Sequence, residues 1–430
     1  MAKKEGPAKM KTDKNLKRMF VIGAYGCGNC GDDAILQSIR EYFPDWSIRA
    51  TNGTFQNVSE YIDVKPIQCR LNEGFSIPVL FSMLLDSFKM LASVIWCDVL
   101  LYGGGSLIHD LTKYNLPFMF LWQFFAKLFK KKVYYFSIGV GPISTRRGKK
   151  QCKKHLAKAD GVFVRDDRGF RICKELGLNN VVETADAAIP FHHADQCNKE
   201  TLKMLGLTES KYICVTGSQW FESTNFWQKE KIDFSDQIRH FAKCVSVAAS
   251  VWQVPIVFVP TVMHDQILGR QLQPLLKDID FRLMEQKKWN CCETAEVIEN
   301  SSFLLGVRMH SIIFAIRQKV PVIALIYDQK VSELMKRMGL QQYVLPIQET
   351  DLQELKVMIN TAKENEKRIF ETVDKKIKVI NDLIEESVCV VEKFRGGYKY
   401  VIYFIHYNCA VLHLFTLIYA AASGERRLAA

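Results

Sequence analysis

The stretch Met19-Phe-Val-Ile-Gly-Ala-Tyr-Gly-Cys-Gly-Asn-Cys-Gly-Asp-Asp-Ala-Ile-Leu36 decides the fold. Four apolar residues, Met19 to Ile22, read as a strand, glycines crowd the segment from Gly23 to Gly31, and Ile35, Leu36, Ile39 and Phe43 then recur at helical spacing. A strand, a tight turn and an amphipathic helix in that order open a parallel α/β sheet. The unit repeats. Asp98-Val-Leu-Leu-Tyr102 runs into Gly103-Gly104-Gly105, Lys132-Val-Tyr-Tyr-Phe-Ser137 into Gly139-Val-Gly141-Pro142, and Gly161-Val-Phe-Val164 into Arg165-Asp166, before Val181-Val-Glu-Thr-Ala-Asp186. Short apolar strands ending in glycine or charge place a ligand crevice at their C-terminal ends.

The pattern then restarts with Lys211-Tyr-Ile-Cys-Val-Thr216, Pro255-Ile-Val-Phe-Val-Pro260, Ser302-Phe-Leu-Leu-Gly306 and Pro321-Val-Ile-Ala-Leu-Ile326. The polar stretch 195–207 separates the two series. The expected fold class is therefore α/β: two Rossmann-like parallel-sheet domains facing a crevice, with a helical C-terminal extension. Boundaries follow as a basic arm (1–18), a first domain (19–200), a second (201–345), the extension (346–396) and an apolar terminal segment (397–430). Leu352, Leu355, Met358 and Ile359 are spaced to bury one face of the extension. Residues 401–422 are long enough to span a bilayer, but His406, Asn408 and His413 interrupt them, so a packed terminal helix is expected ahead of an anchor.

At 430 residues the chain exceeds a single ordinary core, and 48% hydrophobic residues supply enough apolar material for two. The net charge of +12 suits nucleic acid, an anionic membrane surface or anionic substrates. It is concentrated in the N-terminal arm and in Lys127-Leu-Phe-Lys-Lys-Lys132, with no helix-turn-helix, zinc-finger or RNA-binding signature, which excludes nucleic acid as the expected partner. Thirteen cysteines without an apolar leader point to reduced thiols in the cytoplasm, and Cys27-Gly-Asn-Cys30 to a loop of small residues, no second pair standing at zinc spacing.

Gly26-Cys-Gly-Asn-Cys-Gly31 fits the dinucleotide fingerprint G-x-G-x-x-G. Asp32 and Asp33, however, put carboxylates where a pyrophosphate would sit, and the second strand ends in Arg49-Ala-Thr-Asn52 without the ribose-binding acid. A tight turn with Asp32 or Asp33 as helix cap is expected instead. Arg308-Met-His310 joins the strand Phe303–Gly306 to a helix, aiming a planar guanidinium and a titratable imidazole at the crevice. Arg165 stands similarly.

Gly28-Asn-Cys-Gly-Asp-Asp-Ala-Ile-Leu36, Gly103-Gly-Gly-Ser106, Val164-Arg-Asp166, Arg308-Met-His310 and Tyr327-Asp-Gln-Lys330 occur in an order that resembles the polysaccharide pyruvyltransferases, over roughly 19–345. Gly169 departs from it, where a small hydroxyl residue is expected. The resemblance implies a GT-B-like fold and transfer of a pyruvyl group from phosphoenolpyruvate to a cell-envelope or exopolysaccharide sugar as a ketal. It implies Arg165, Arg308 and His310 as donor-binding, with His310 and Arg308 catalytic. Asn29, Asp32, Asp33 and Gly103, Gly104 and Gly105 are left for the acceptor, a lipid-linked or polymeric saccharide. Phosphoenolpyruvate is the co-substrate, no other cofactor is expected, and no metal, since no ligand cluster stands at metal spacing. The expected place is the cytoplasm, at the inner face of a membrane. A nucleotide-sugar glycosyltransferase and a non-catalytic glycolipid-binding protein are the alternatives.

Overall fold

The computed structural model describes residues 16–69, 77–190, 200–209, 211–218, 234–285 and 289–393. The described residues up to Ile384 form one compact unit, and 385–393 belong to a second. Most of the basic arm, part of the 195–207 boundary and the apolar segment 401–422 lie outside the described residues.

Within the first unit the doubled α/β pattern is present as two parallel sheets. The first contains β1 (Lys17–Ile22), β2 (Trp46–Asn52), β3 (Lys65–Gln68), β4 (Val99–Gly103), β5 (Lys132–Ile138), β6 (Gly161–Val164) and β7 (Val181–Glu183), in the order β3-β2-β1-β4-β5-β6-β7. The helices α1 (Cys30–Tyr42), α2 (Ile77–Trp96), α3 (Asn115–Leu128), α4 (Arg146–Leu156) and α5 (Asp167–Glu175) connect them. A short helix, α6 (Glu200–Met204), leads to the second sheet. This has β8 (Ile213–Val215), β9 (Ile256–Phe258), β10 (Phe281–Leu283), β11 (Leu304–Gly306), β12 (Val322–Ile326) and β13 (Val344–Pro346), ordered β10-β9-β8-β11-β12-β13. Its helices are α7 (Ser235–Trp252), α8 (Asp265–Leu272), α9 (Cys291–Glu299), α10 (Met309–Arg317) and α11 (Gln329–Arg337).

Every pairing is parallel, so the strands are covered on both faces and read as continuous apolar runs. β4 buries all five residues. β3, β10 and β13, edge strands of three or four residues, are not among the strands expected from the sequence. The basic arm is shorter than expected. Lys17 and Arg18 already belong to β1, where Arg18 pairs with Asp98 at 3.1 Å. Lys127 and Lys132 of the basic patch likewise both pair with Asp160.

The helical extension forms α12 (Leu352–Glu364) and α13 (Glu366–Glu392). α12 buries Leu355, Ile359 and Ala362 and lies on α7, whereas Leu352 and Met358 are only half-buried. α13 straps both sheets together: Asp374 takes an ion pair from Lys319 at 3.0 Å, and the Leu383 carbonyl accepts from the Thr184 hydroxyl at 3.2 Å.

Candidate functional site

In each sheet the strand order reverses once, between β1 and β4 in the first and between β8 and β11 in the second. Ligands of open α/β sheets bind at such switch points. The loop after β1, the glycine turn after β4 and the Arg308 turn after β11 all lie there, and they meet. Asn29 bridges Val262, the Cys30 amide donates to the Thr261 carbonyl at 2.9 Å, and the Met263 amide donates to the Gly28 carbonyl at 2.8 Å.

These bonds commit much of the glycine-rich loop to the fold. Three of its amides are engaged within the protein: Gly26 donates to Asp33 at 2.8 Å, Gly31 to the Asn29 side chain at 3.1 Å, and Cys30 to the loop after β9. The cap of α1 is Asn29 rather than Asp32 or Asp33, because the helix starts at least three residues earlier than a carboxylate cap would place it. Asp33 turns inward, accepting from Gly26 and from Tyr61 at 3.0 Å, and burial pushes its pKa up to about 7. Asp32 is half-buried beside the crevice, held by the Asn29 amide at 2.7 Å, and its pKa is raised by burial against the pull of His310 and Arg165.

Gly104 and Gly105 follow β4 with φ of 65° and 68°, in the left-handed region where glycine is unstrained. A Cβ on Gly104 would meet Ile35 at 2.3 Å, and one on Gly105 would meet the Asp32 carboxylate at 2.9 Å. Gly103 offers its carbonyl to Tyr25 at 2.6 Å. The three glycines thus let the β4 turn close on α1 and shape the crevice wall through their backbone.

His310 crosses from the second sheet to lie directly over Gly31, where a Cβ would stand 1.8 Å from its Nδ1. Its Nε2 faces Asp186 at 3.8 Å, too far for a hydrogen bond, and is buried without a hydrogen-bond partner. Asp186 is buried and pairs with Arg165 at 2.6 Å; burial opposes its charge, but Arg165 and His310 outweigh that and hold it well below the usual carboxylate range. Arg165 also donates to Ser106 at 3.2 Å, and Lys330 reaches the same hydroxyl at 3.3 Å. Arg308 directs its Nε toward both oxygens of the buried Asp265 at 3.1 Å, with Nη2 on the same carboxylate. Burial works against its charge, and Asp265 more than compensates.

Arg308 does not present its whole planar fork to a ligand. The Nε/Nη2 edge of that fork instead grips Asp265, which leaves only part of the guanidinium for a ligand. Asp186, Asp265 and Ser106 went unnoticed as site residues, and Lys330 appeared only within a motif. Asp186 had a signal, an acid just past a strand end, the same one that singled out Arg165. Asp265 had none, because only the folding of β9 and α8 brings it to Arg308.

Two cavities adjoin this cluster. One of about 160 Å³ is lined by Asn29, Arg165, Thr261, Arg308, His310 and Lys330, among others. The second, of about 520 Å³, shares Arg165, Met309 and Lys330 with it and extends past Asp186, Glu183 and Arg337. Among the described residues no group of three His, Cys, Asp or Glu side chains is placed to hold a metal ion.

Two Rossmann-like sheets meeting at their switch points around a charged crevice define a GT-B-like architecture. Solved structures share it: a putative UDP-N-acetylglucosamine 2-epimerase from Listeria monocytogenes superposes with a TM-score of 0.58 at 12% identity, covering 89% of this chain and 97% of that one. The UDP-GlcNAc 2-epimerase from Neisseria meningitidis bound to UDP-GlcNAc gives 0.57 at 12%, covering 88% and 100%. At that identity the likeness is one of fold. The chain itself belongs to the polysaccharide pyruvyl transferase family, whose pattern it matches over residues 29–329. It is also 20% identical over 384 residues to the amylovoran biosynthesis protein AmsJ of Erwinia amylovora, covering 77% of this chain and 88% of that protein.

Proposed function

We propose that this protein transfers the pyruvyl group of phosphoenolpyruvate to a sugar of a cell-envelope or exopolysaccharide precursor, forming a pyruvate ketal. The carrying observation is the convergence of Arg165, Arg308, Lys330 and His310 on one small cavity, a set of nitrogen donors suited to a donor with both a carboxylate and a phosphate. The reaction needs a proton on the methylene carbon, which leaves an oxocarbenium-like carbon for one sugar hydroxyl to attack. A second hydroxyl then replaces phosphate. Of the two protons the hydroxyls give up, one ends on the new methyl group and one on the departing phosphate.

His310, in its protonated form, donates the methylene proton or steadies the phosphate. Arg165 and Arg308 bind the donor's anionic groups, each already oriented by a buried carboxylate, so little rotamer freedom is lost on binding. Asn29, Asp32 and the glycine turn form the acceptor side. The larger cavity leads a saccharide away from the reacting carbon.

The test is phosphate release from phosphoenolpyruvate in the presence of a lipid-linked oligosaccharide. Arg308→Ala should raise the donor KM, with a loss of about 2 to 5 kcal/mol in transition-state binding. It also strands the Asp265 carboxylate, so Arg308→Lys and thermal melts accompany it. His310→Gln should lower turnover by about 10² to 10⁴ with little change in donor affinity. Parental kinetics in both variants, or release of nucleotide from a nucleotide sugar in place of phosphate, overturns the reading.

A further inference from the structure

The helices α2, α3 and α4 cover one face of the first sheet, sealing a core that includes Met90 and Val94 of α2, Leu116 and Phe120 of α3, and Cys152 and Leu156 of α4. α3 is pinned to α4 by the stacked rings of Phe120 and His155, 4.4 Å apart, and by Gln123 donating to the His155 carbonyl at 2.7 Å. The outer surface of this layer is unusual for a folded protein. Leu85, Phe88, Ala92 and Ile95 form one exposed stripe along α2, and Leu121, Phe124 and Leu128 another along α3, continued by Phe129. Phe88 is 67% exposed, Phe124 56% and Leu128 60%, and this face carries seven of the fifteen large apolar side chains exposed among the described residues. A contiguous apolar patch of this kind marks an interaction surface.

Charge says what covers it. Beside the stripes, α4 reads Arg-Arg-Gly-Lys-Lys-Gln-Cys-Lys-Lys-His-Leu, with all six of its Lys and Arg residues exposed and no acid. Neither α3 nor α4 contains an acidic residue, and the lone acid of α2, Asp86, is buried. A second copy of the chain docking here would bring apolar rows but no counter-charge. An anionic bilayer supplies both, hydrocarbon for the rows and headgroup charge for α4.

We infer that the α2–α3–α4 face is a membrane-docking surface. Apolar side chains of α2 and α3 enter the interfacial region of an anionic bilayer while the α4 cations contact its headgroups. The patch continues toward the crevice through exposed Leu111 and Tyr114, in the loop between the glycine turn and α3. Asp110 ties that loop to the start of α4 by accepting from the Thr145 amide at 2.7 Å. The crevice mouth is thereby held near the lipid surface. This inference concerns binding alone and does not depend on which donor the crevice takes.

Flotation of the full chain with vesicles of phosphatidylglycerol and phosphatidylcholine, against phosphatidylcholine alone, tests it. Binding is expected to the anionic vesicles and to weaken with salt. Phe124→Ser with Leu128→Ser should cut it at least about tenfold. Replacing Lys149, Lys150, Lys153 and Lys154 by Gln should cut it about as much and remove most of the salt dependence. Both sets lie on the surface, and unchanged melting temperatures verify the fold. Absence of vesicle binding by the parent overturns the inference, as does parental binding by both variants, which would move the attachment to other segments such as 401–422. It also fails if the α3 variant turns a dimer into a monomer without affecting vesicle binding.

Discussion

Asp33 shows how a carboxylate can look functional in sequence and be structural in space. Its two oxygens are taken by the Gly26 amide and the Tyr61 hydroxyl, and it lies inside the turn rather than in the crevice. Burial is the main cause of its raised pKa, about 7, against about 3.9 in an unfolded chain. For a group whose folded pKa is raised, the stabilising contribution is complete below the unfolded value and is lost as pH climbs to the folded one. Asp33→Asn should therefore flatten the stability curve between about pH 4 and 7, gaining on the order of a few kcal/mol relative to the parent toward neutrality. Urea titrations at several pH values measure this, and phosphate release should persist. A parallel pH profile in parent and variant would show that Asp33 stays ionised in its buried place. Asp186, equally buried, shifts the other way because Arg165 lies 2.6 Å from it. Burial sets the sign at Asp33, whose partners are neutral, and the Arg165 cation overrides it at Asp186.

At the scale of single elements, the first turn of α1 serves two masters. Asn29 caps it, and Gly31 leaves bare the surface on which the His310 ring lies. Alanine normally favours a helix over glycine by about 1 kcal/mol. Here a methyl group would enter the imidazole, so Gly31→Ala should displace His310 and lower turnover by about a hundredfold with a modest change in melting temperature. Steady-state kinetics beside calorimetry separate the two effects, and full turnover in a stably folded variant would remove His310 from the reaction. The start of α5 explains the departure at Gly169. Its amide donates to the Asp166 cap at 2.7 Å, and a Cβ there would stand 2.8 Å from Val164 and 3.1 Å from the Val140 amide. This chain packs β5 and β6 too closely around α5 for a hydroxyl residue at that position.

At the scale of the whole molecule, the glycine-rich loop can be read only with its partner. Alone it is a fingerprint for a dinucleotide; assembled, its Gly28 carbonyl and Cys30 amide bond to the loop after β9, and His310 covers Gly31. Titration with reduced nicotinamide dinucleotides should accordingly give no fluorescence change at micromolar protein. Saturable micromolar binding that a bulky residue at Gly28 abolishes would reverse this reading of the loop.

Two parallel sheets, their strand ends and the placing of Arg165, Arg308 and His310 at those ends were legible in the residues, because buried strands are short apolar runs and because charge just beyond them is conspicuous. Periodicity leaves the short edge strands β3, β10 and β13 unmarked. Nor can it say which carboxylate meets which arginine. Asp265 reaches Arg308, and Asp186 reaches both Arg165 and His310, only through pairings made by the closed fold. Strand character is a property of neighbouring residues along the chain, while a charge's partner and its burial belong to the packed molecule, and those determine what the crevice can bind.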